Sequence, residues 1–171
     1  MEIDPQTHDR SMYRTLSSTV VPRPIGWIST TGTDGVDNLA PYSFFNVVSV
    51  SPPVVMFAPG VRPHGLTDTA RNAQETEEFV VNVVTHPFAE AMNETSASLA
   101  NDESEFDYVD IERAPSTKVR PPRVAGIDVA FECELYDMQR IGSHHVVMGE
   151  VVYAHVSDSL LDDDRVDVRE L

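Results

Sequence analysis

The sequence predicts a mainly β protein, a small closed or split barrel of about six strands, mostly antiparallel, with two short helices inserted in the middle. Three observations predict this class. Runs of β-branched and aromatic residues recur along the chain, turn residues at Asp34-Gly35 and Gly142-Ser143 separate neighbouring runs, and no internal repeat appears. The 171 residues are enough for a core, so we expect one domain over residues 1–171.

A hairpin-like unit opens the predicted sheet, and two further strands follow it. Pro22 and Pro24 favour an extended entry into the first strand, because a residue before proline avoids the helical region. A compact return segment, Asn38–Ser43, follows the turn. Pro52-Pro53 separates the next two strands, since proline belongs at a bend or strand start. These three strands are predicted at Ile25–Thr31, Val47–Ser51 and Val54–Ala58.

The middle of the chain contains two predicted helices around one strand. Thr67–Glu78 is predicted to be a helix, because a threonine or aspartate can cap its start and alanine and acidic residues fill its body. Phe79–Thr85 is a β-branched run and therefore a strand. Pro87–Ala97 begins with proline and carries helix formers, which predicts the second helix. The polar, acidic stretch Ser98–Ser116 is predicted to be a long irregular loop.

Two long strands follow. In Val129–Leu135 apolar residues alternate with polar ones, a pattern that places Glu132 and Glu134 on the solvent face. His145–Val156 is nearly continuously apolar and contains Gly149, which indicates a bulge or a close approach of backbone. The turn between the two runs predicts an antiparallel pair.

The charge balance excludes several classes of partner. The formal net charge is −16 and Lys118 is the only lysine, so nucleic acid and anionic membranes are poor partners. Acidic excess with retained arginine is typical of proteins from salt-loving archaea, in which molar salt shortens the Debye length to about 3 Å and screens surface repulsion. We therefore expect a halophilic protein, with residues 157–171 forming an acidic, solvated end.

The sequence indicates neither a membrane segment nor a secreted protein. No apolar run approaches the length of a membrane span, and the N-terminal residues lack the apolar region of a signal peptide. The single cysteine, Cys133, excludes an internal disulfide framework and a multi-cysteine metal site. Its apolar neighbours predict a buried, inert thiol. We expect a cytoplasmic protein without a metal.

Hydroxyl-bearing residues are the candidates for a ligand site. Ser29, Thr30 and Thr31 cluster in the first strand, and Thr67 and Thr69 stand at a helix start, where backbone N–H groups favour an anion. Such residues are also common as β-formers and helix caps. A phosphate-bearing ligand and a purely structural role are therefore both open from the residues alone. Neither GxGxxG nor a P-loop is present in the sequence.

The histidines and carboxylates leave the chemistry open. His144 and His145 stand at the start of the last strand, where adjacent side chains face opposite sides, so only one of them can line a pocket. The sequence shows no Ser/His/Asp order, no paired carboxylates and no metal-binding spacing. Composition and spacing alone therefore do not define a reaction.

Three segments carry a family likeness, PRPIGWISTTGTDGVDNLAPYSFFNVVSVSPPVVMF, then DTARNAQETEEFVVNVV, then GSHHVVMGEV. Together they resemble the flavin reductase-like family of FMN-binding split barrels, from about Tyr13 to Val156. The resemblance implies a six-stranded antiparallel split barrel of Greek-key type with its core over residues 13–156. It also implies a homodimer with flavin near the subunit interface.

The resemblance further implies a set of site residues. His144 matches the histidine that the family places close to flavin or nicotinamide. Thr67 stands where relatives often have a lysine, so one cationic phosphate contact is missing. Two outcomes stay open: Arg71 or Arg23 compensates for it, or the affinity is lower. The residues implied to bind the cofactor are Ser29, Thr30, Thr31, Asn38, Ala40, Ser43, Phe45, Asn46, Ser49, Thr67, Asp68 and Thr69.

The implied activity is reduction of flavin by a nicotinamide. Because the flavin N5 accepts hydride, the protein mainly has to position the nicotinamide C4 about 3–3.5 Å from it, and no acid–base pair is needed. The resemblance implies FMN, with FAD possible, NADH or NADPH as donor, and a monooxygenase or another acceptor as partner. Two alternatives stay open: an FMN-binding electron carrier without its own nicotinamide site, and a flavin-free barrel module.

Overall fold

A seven-stranded antiparallel sheet forms the body of the protein, in the order β2-β1-β5-β8-β9-β4-β3. The computed structural model describes residues 2–7, 12–63, 65–163 and 165–171. The strands of this sheet are β1 (Gly26–Thr31), β2 (Asp37–Tyr42), β3 (Phe45–Val50), β4 (Pro53–Phe57), β5 (Glu78–Val83), β8 (Val129–Ile141) and β9 (His144–Val156).

The two outermost strands of that order are consecutive in the chain. Only Ser43 and Phe44 separate β2 from β3, so a short bend connects one edge of the sheet to the other and curls it into a split barrel. The return segment predicted at Asn38–Ser43 is therefore a strand, which raises the number of strands in the main sheet from about six to seven. The predicted fold class is confirmed.

Short helices and two small hairpins surround the sheet. Thr67 caps α2 as predicted, since its hydroxyl accepts a hydrogen bond of 3.3 Å from the Ala70 N–H. The predicted second helix is a 3₁₀ turn at His86–Phe88 followed by a short α-helix. The remaining elements are α1 (Tyr13–Thr19), α2 (Asp68–Thr76), α3 (Ala89–Glu94), α4 (Glu105–Tyr108), β6 (Arg113–Ala114), β7 (Arg123–Val124), a 3₁₀ turn (Asp158–Leu160), β10 (Leu161–Asp162) and β11 (Arg165–Val166).

The first strand is buried on both of its faces. The adjacent residues Trp27 and Ile28 have no exposed surface, and they belong to two different apolar clusters. Trp27 packs with Phe106 and others outside the barrel, and its indole N–H donates to the Thr95 hydroxyl at 2.8 Å. Ile28 packs with Phe79 inside. Burial on both faces explains why this strand is a continuous run and not an alternating one.

Gly149 marks a close approach inside the barrel, as predicted. It lies opposite Leu135 on β8, next to a register shift between Leu135 and Asp137. A β-carbon at this position would collide with the ring of Phe79 and would lie 3.0 Å from the Cβ of Cys133. Only glycine therefore allows the strand to pass this ring without a rearrangement.

Three predictions about the surface are wrong in part. Glu132 is fully buried, because the segment 117–119 and His155 cover the outer face of β8 on which it lies and donate hydrogen bonds to its carboxylate. The segment predicted as a loop at Ser98–Ser116 contains α4, whose Phe106 is fully buried. The acidic end also contributes to the core, since Leu160 is 2% exposed.

Candidate functional site

A cavity of about 170 Å³ lies between β2, the start of α2 and the segment 95–105. Strand β2 supplies one wall, and the capped end of α2 supplies another. Five residues that the sequence singled out line this cavity, although they lie up to 31 positions apart. They are Asn38, Ala40, Thr67, Asp68 and Thr69.

A chain of four hydrogen-bonded side chains runs along this cavity. The Tyr42 hydroxyl donates to the Thr69 hydroxyl at 2.9 Å, and Thr69 donates to Oδ1 of Asn38 at 2.6 Å. Nδ2 of Asn38 then donates to Oε2 of Glu105 at 2.8 Å. The same carboxylate oxygen accepts the backbone N–H of Leu39 at 2.9 Å. Strand β2, helix α2 and helix α4 are thereby joined by one polar network.

Burial changes the protonation equilibria in this network. Glu105 is 7% exposed, and burial raises the pKa of its carboxyl although hydrogen bonds from Leu39 and Asn38 oppose this effect. The nearby Asp68 carboxylate also raises the Glu105 pKa. Burial likewise raises the pKa of Tyr42, so this hydroxyl keeps its proton at neutral pH.

Arg113 holds the segment that carries Glu105 against the barrel. Its guanidinium donates to Asp37 at 2.9 Å, to Asp107 at 2.8 Å and to the Ser104 hydroxyl at 3.0 Å. These contacts fix the residues on both sides of Glu105 in the chain. The hydrogen bonds of Arg113, on the outer side of the cavity, therefore position the Glu105 carboxylate.

Arg62 is the one arginine in the lining of the cavity among the residues that the structure describes. Its guanidinium lies 3.6 Å from Asp68, whose other oxygen is 2.7 Å from Arg71. Arg71 and Arg23, the two residues proposed to replace the family lysine at Thr67, are not among the lining residues. Among the residues that the structure describes there, the cation that lines the cavity is therefore Arg62.

A second group lies at the start of β9. The ring of His144 packs against the ring of Phe44 with their centroids 5.4 Å apart, and its backbone pairs with Gly60. Nδ1 of His144 is 3.1 Å from the Ser143 hydroxyl, which fixes the orientation of the ring. Ser43, next to Phe44, is half-buried. We call the surface formed by Phe44 and His144 the aromatic patch.

Two hydroxyls of the first strand are already used by the protein. Ser29 is fully buried, and its hydroxyl donates to the Pro122 carbonyl at 2.5 Å and accepts from Asn82 at 3.3 Å. Thr30 is also fully buried and accepts from Asn72 at 3.2 Å. These hydroxyls become available to a ligand only if those bonds rearrange.

The other four predicted residues lie outside the cavity lining. The Thr31 hydroxyl donates to Asp37 at 2.7 Å, and Phe45 belongs to the inner core. Asn46 is exposed on β3, and its side-chain oxygen accepts the backbone N–H of the next residue. Ser49 is half-buried, and its hydroxyl accepts the backbone N–H of the residue two positions further along the chain. Their implied roles toward a flavin stay predictions.

The comparison with known families decides the relationship. The family model described as "Flavin reductase like domain" matches residues 17–169. The chain belongs to the flavin reductase-like family. This result confirms the resemblance carried by the three sequence segments, and it leaves the salt-loving origin a prediction.

Relatives of this flavin reductase-like protein occur in diverse bacteria. An uncharacterized protein of Aquifex aeolicus is 39% identical over 92% of this chain and 81% of its own length. YwrF of Bacillus subtilis is 38% identical over 92% of this chain and 80% of its own length.

Two solved structures share both the fold and a detectable sequence identity. Nitrilotriacetate monooxygenase component B from Bacillus cereus has a TM-score of 0.93 at 30% identity, over 97% of this chain and 86% of that chain. The 2-nitrobenzoate 2-nitroreductase NbaA of Pseudomonas fluorescens has a TM-score of 0.86 at 31% identity, over 99% of this chain and 83% of that chain.

Sequence reasoning missed three residues that line the cavity. Tyr42 lies in the predicted return segment Asn38–Ser43 but was not among the candidate site residues. Arg62 lies in the connection before α2, which carried no site prediction. Glu105 lies in a segment with many other acids, so nothing in the local pattern distinguished it. Its burial depends on contacts with β2, which is 66 positions away in the chain.

The described part of the chain contains no cluster of metal-ligating side chains, and Cys133 is buried. Within residues 2–7, 12–63, 65–163 and 165–171, no group of three or more His, Cys, Asp or Glu side chains is arranged to hold a metal. Cys133 is buried, and burial raises the pKa of its thiol, as expected for an inert thiol. No helix in the same ranges is long and apolar enough to cross a membrane.

Proposed function

We propose that this protein is an NAD(P)H-dependent flavin reductase that binds FMN, with FAD as the second candidate. The observation that carries this proposal is the family match over residues 17–169. The cavity and the aromatic patch support it, because they offer different surfaces to the chemically different parts of a flavin. The two alternatives, an electron carrier without a nicotinamide site and a flavin-free barrel, become outcomes of the test below.

The residues present fit a flavin. FMN combines a planar ring, a hydroxylated chain and a phosphate. The aromatic patch of Phe44 and His144 offers flat rings for stacking, and the cavity offers hydroxyl and carboxylate oxygens. Arg62, whose side chain is 49% exposed, offers a cation that can reach a phosphate. When bound, FMN supplies a ring that accepts hydride from a nicotinamide.

His144 is the residue that we propose to orient the reacting rings. Its own ring is held on one side by Phe44 and at Nδ1 by the Ser143 hydroxyl, and it is only half-buried. A side chain fixed in this way excludes water from one side of a flat ligand and limits its tilt. Since hydride transfer depends on the distance and alignment of two rings, positioning is the main contribution required of the protein.

We also propose a homodimer that passes electrons to a further acceptor. Strand β3 lies at one edge of the sheet and exposes Val47, Val48 and Val50, the last of them to 86%. Helix α1 buries none of its described residues against the barrel. Exposed apolar surface on an edge strand is typical of an interface. The similarity to a monooxygenase component B favours a monooxygenase as the acceptor.

The test is rapid mixing of protein loaded with FMN, in molar salt, with NADH or NADPH. We expect at least one donor to bleach the bound flavin faster than it bleaches free FMN. His144→Ala should slow this reduction roughly tenfold, which corresponds to about 1.4 kcal/mol of activation free energy. His86→Ala is the matched control, because His86 is exposed at the start of a 3₁₀ turn outside both surfaces.

Each contrary result excludes a defined part of the proposal. Tight FMN binding without accelerated bleaching by either nucleotide would leave the electron carrier as the function. A colourless protein that binds no added FMN in high salt would leave the flavin-free module. A His144→Ala rate equal to that of the His86→Ala control would remove His144 from the mechanism and leave the reductase assignment intact.

A further inference from the structure

The guanidinium of Arg23 binds the C-terminal end of helix α1. Arg23 follows this helix by four residues, and its Nη1 donates to the carbonyls of Ser17 at 2.7 Å and Val20 at 2.5 Å. These two acceptors use both hydrogens of this nitrogen. Ser17 lies in the last turn of α1, where carbonyls lack a partner within the helix and the helix dipole favours a cation.

The same guanidinium lies against the aromatic patch. Its Cζ is 5.7 Å from the centroid of the Phe44 ring, which is within the range of cation–π attraction. Nε of Arg23 is buried and has no hydrogen-bond partner among the residues that the structure describes. The ring contact and the two bonds of Nη1 are therefore what hold this half-buried side chain. Phe44 thus contacts both the Arg23 guanidinium and the His144 ring.

The backbones of the two aromatic residues are held by neighbouring segments. The Phe44 carbonyl accepts the N–H of Ala58 at 2.9 Å, and the backbone of His144 pairs with Gly60. The orientation of the rings then depends on side-chain contacts. These are the packing of the rings at 5.4 Å, the serine hydroxyl at Nδ1 of His144 and the Arg23 guanidinium at Phe44.

Helix α1 gains little from packing against the barrel. It buries none of its residues, and Leu16 on it is 52% exposed. Burial of apolar surface therefore contributes little to its attachment. The two hydrogen bonds from Arg23 fix its C-terminal end relative to Phe44, so a displacement of α1 would move the guanidinium relative to the ring.

We propose that Arg23 is a positioning residue for hydride transfer, which braces Phe44 against the end of α1 and thereby fixes the His144 ring. The inference rests on the proposed function for the reaction, and it deepens that function by assigning a residue that acts through two rings without touching the reactants. The placement of α1 then sets the orientation of the aromatic patch.

The first experiment needs no flavin. It compares proton–carbon NMR spectra of the histidine rings in wild-type protein and Arg23→Met in molar salt. The chain has six histidines, and the His144 signal is identified by its loss in His144→Gln. Arg23→Met should move this signal in the same direction as Phe44→Leu, because both changes weaken the contact of the two rings. Arg14→Met is the matched control, since Arg14 is exposed on α1, and it should leave the signal in place. An unchanged His144 signal in Arg23→Met would overturn the inference.

The second experiment measures reduction of bound FMN by rapid mixing. Arg23→Met should slow this reduction about threefold, as expected for the loss of one partly exposed cation–π contact. The dissociation constant of FMN should change by less than about twofold, because positioning affects the rate and not the affinity. In a His144→Ala background, Arg23→Met should cause no further loss, because the ring on which it acts is absent.

The contrary results are distinct. An equal loss of rate in both backgrounds would mean that Arg23 acts independently of His144 and would overturn the inference. Weaker FMN binding with an unchanged rate would make Arg23 a direct ligand contact and would overturn it as well.

Arg23→Lys keeps the test decisive if Arg23→Met does not fold. Lysine keeps the charge but lacks the planar fork that reaches the two carbonyls and the ring together. Its His144 signal should lie between those of the wild type and Phe44→Leu, and a signal at the wild-type position would contradict the role of the guanidinium. Wild-type protein whose bound flavin neither nucleotide reduces would refute the proposed function, and the positioning role with it. Normal reduction with an unchanged His144 signal in the Arg23 variants would refute the inference only.

Discussion

Two buried carboxylates, Glu105 and Glu132, lie in different parts of the molecule, and their pKa values are shifted in opposite directions. Glu105 is 7% exposed and its pKa is raised, while Glu132 has no exposed surface and its pKa is lowered. Burial raises the pKa in both cases, so the difference must come from the groups that surround each carboxylate.

Glu132 has more hydrogen-bond donors. Nε2 of His155 lies 2.5 Å from Oε1, and three consecutive backbone N–H groups, at residues 117–119, donate to the two carboxylate oxygens at 2.5 to 3.2 Å. Together these donors outweigh the effect of burial and lower the Glu132 pKa. For Glu105 the donors are the backbone N–H of Leu39, its own backbone N–H and the Asn38 amide, and the nearby Asp68 carboxylate acts in the opposite direction. The number of hydrogen-bond donors and the charge nearby thus decide the role of each buried carboxylate. Glu132 stays ionised and holds its donors together, whereas Glu105 can change its protonation state.

The largest effect is expected on removing Glu132. Glu132→Ala leaves His155 and three backbone N–H groups without their acceptor, so we expect a loss of about 3 to 5 kcal/mol in the free energy of unfolding. Urea denaturation in molar salt measures it. Glu134→Ala is the control, because Glu134 is exposed two residues further along the same strand and should change stability by less than about 0.5 kcal/mol. Equal effects of the two substitutions would mean that the hydrogen bonds of Glu132 to His155 and to residues 117–119 do not stabilise the fold.

A smaller loss is expected at Glu105. Glu105→Ala leaves the N–H of Leu39 and Nδ2 of Asn38 without an acceptor, but the cavity gives water access to replace it, so we expect about 1 to 3 kcal/mol. The same denaturation experiment measures this value. A loss as large as that of Glu132→Ala would contradict the distinction between the two carboxylates.

The contrast between these residues also explains how far the sequence could predict the structure. Strands with strong apolar patterns and turns, such as β1 and β9, were predicted, and so was the cap at Thr67. Glu132 was placed on the correct face of the strand, opposite Cys133, but that face was wrongly expected to be exposed, because the segment 117–119 and His155 cover it. Nothing in the local pattern of β8 could reveal that distant residues cover this face.

The candidate site shows the same limit. Asn38 and Thr69 were found because motifs marked them, but Glu105 reaches them only through the docking of α4 on β2. The acidic segment around Glu105 carries several similar carboxylates, and its sequence does not distinguish the one that is buried. Long-range packing decides that choice, and a single sequence carries no direct signal of it.

The two carboxylates should give stability opposite dependences on pH. Glu132 has a lowered folded-state pKa, so its contribution is present above the ordinary glutamate pKa of about 4.3 and is lost as the pH falls through its folded-state pKa. Glu105 has a raised folded-state pKa, so its favourable contribution is present below about pH 4.3 and is lost as the pH rises through its folded-state pKa.

Glutamine variants isolate the contribution of each carboxylate to the pH dependence of stability. The free energy of unfolding of the wild type minus that of Glu132→Gln should fall with falling pH, and the corresponding difference for Glu105→Gln should fall with rising pH. Urea denaturation between about pH 2 and pH 8 measures both differences, because the Glu132 contribution is lost only below the ordinary glutamate pKa, with Glu134→Gln as the reference for an exposed carboxylate. Slopes of the same sign for both residues would contradict the assigned pKa directions.

The smallest effect is expected from a change of salt concentration on the contribution of a buried carboxylate. The same change should act strongly on the exposed acidic residues. With a net charge of −16, the whole protein should melt at a lower temperature when molar salt is replaced by 0.1 M salt, because the Debye length grows from about 3 Å to about 10 Å. Buried groups are screened much less than exposed ones, so the destabilisation caused by Glu132→Ala should change by less than about 0.5 kcal/mol between the two conditions. If instead that difference grew or shrank in step with the stability of the whole protein, salt would be acting on the Glu132–His155 pair itself. The Glu132–His155 pair would then have to be open to solvent. In that case the low Glu132 pKa could not be explained by donors that surround the carboxylate in a cluster closed to water.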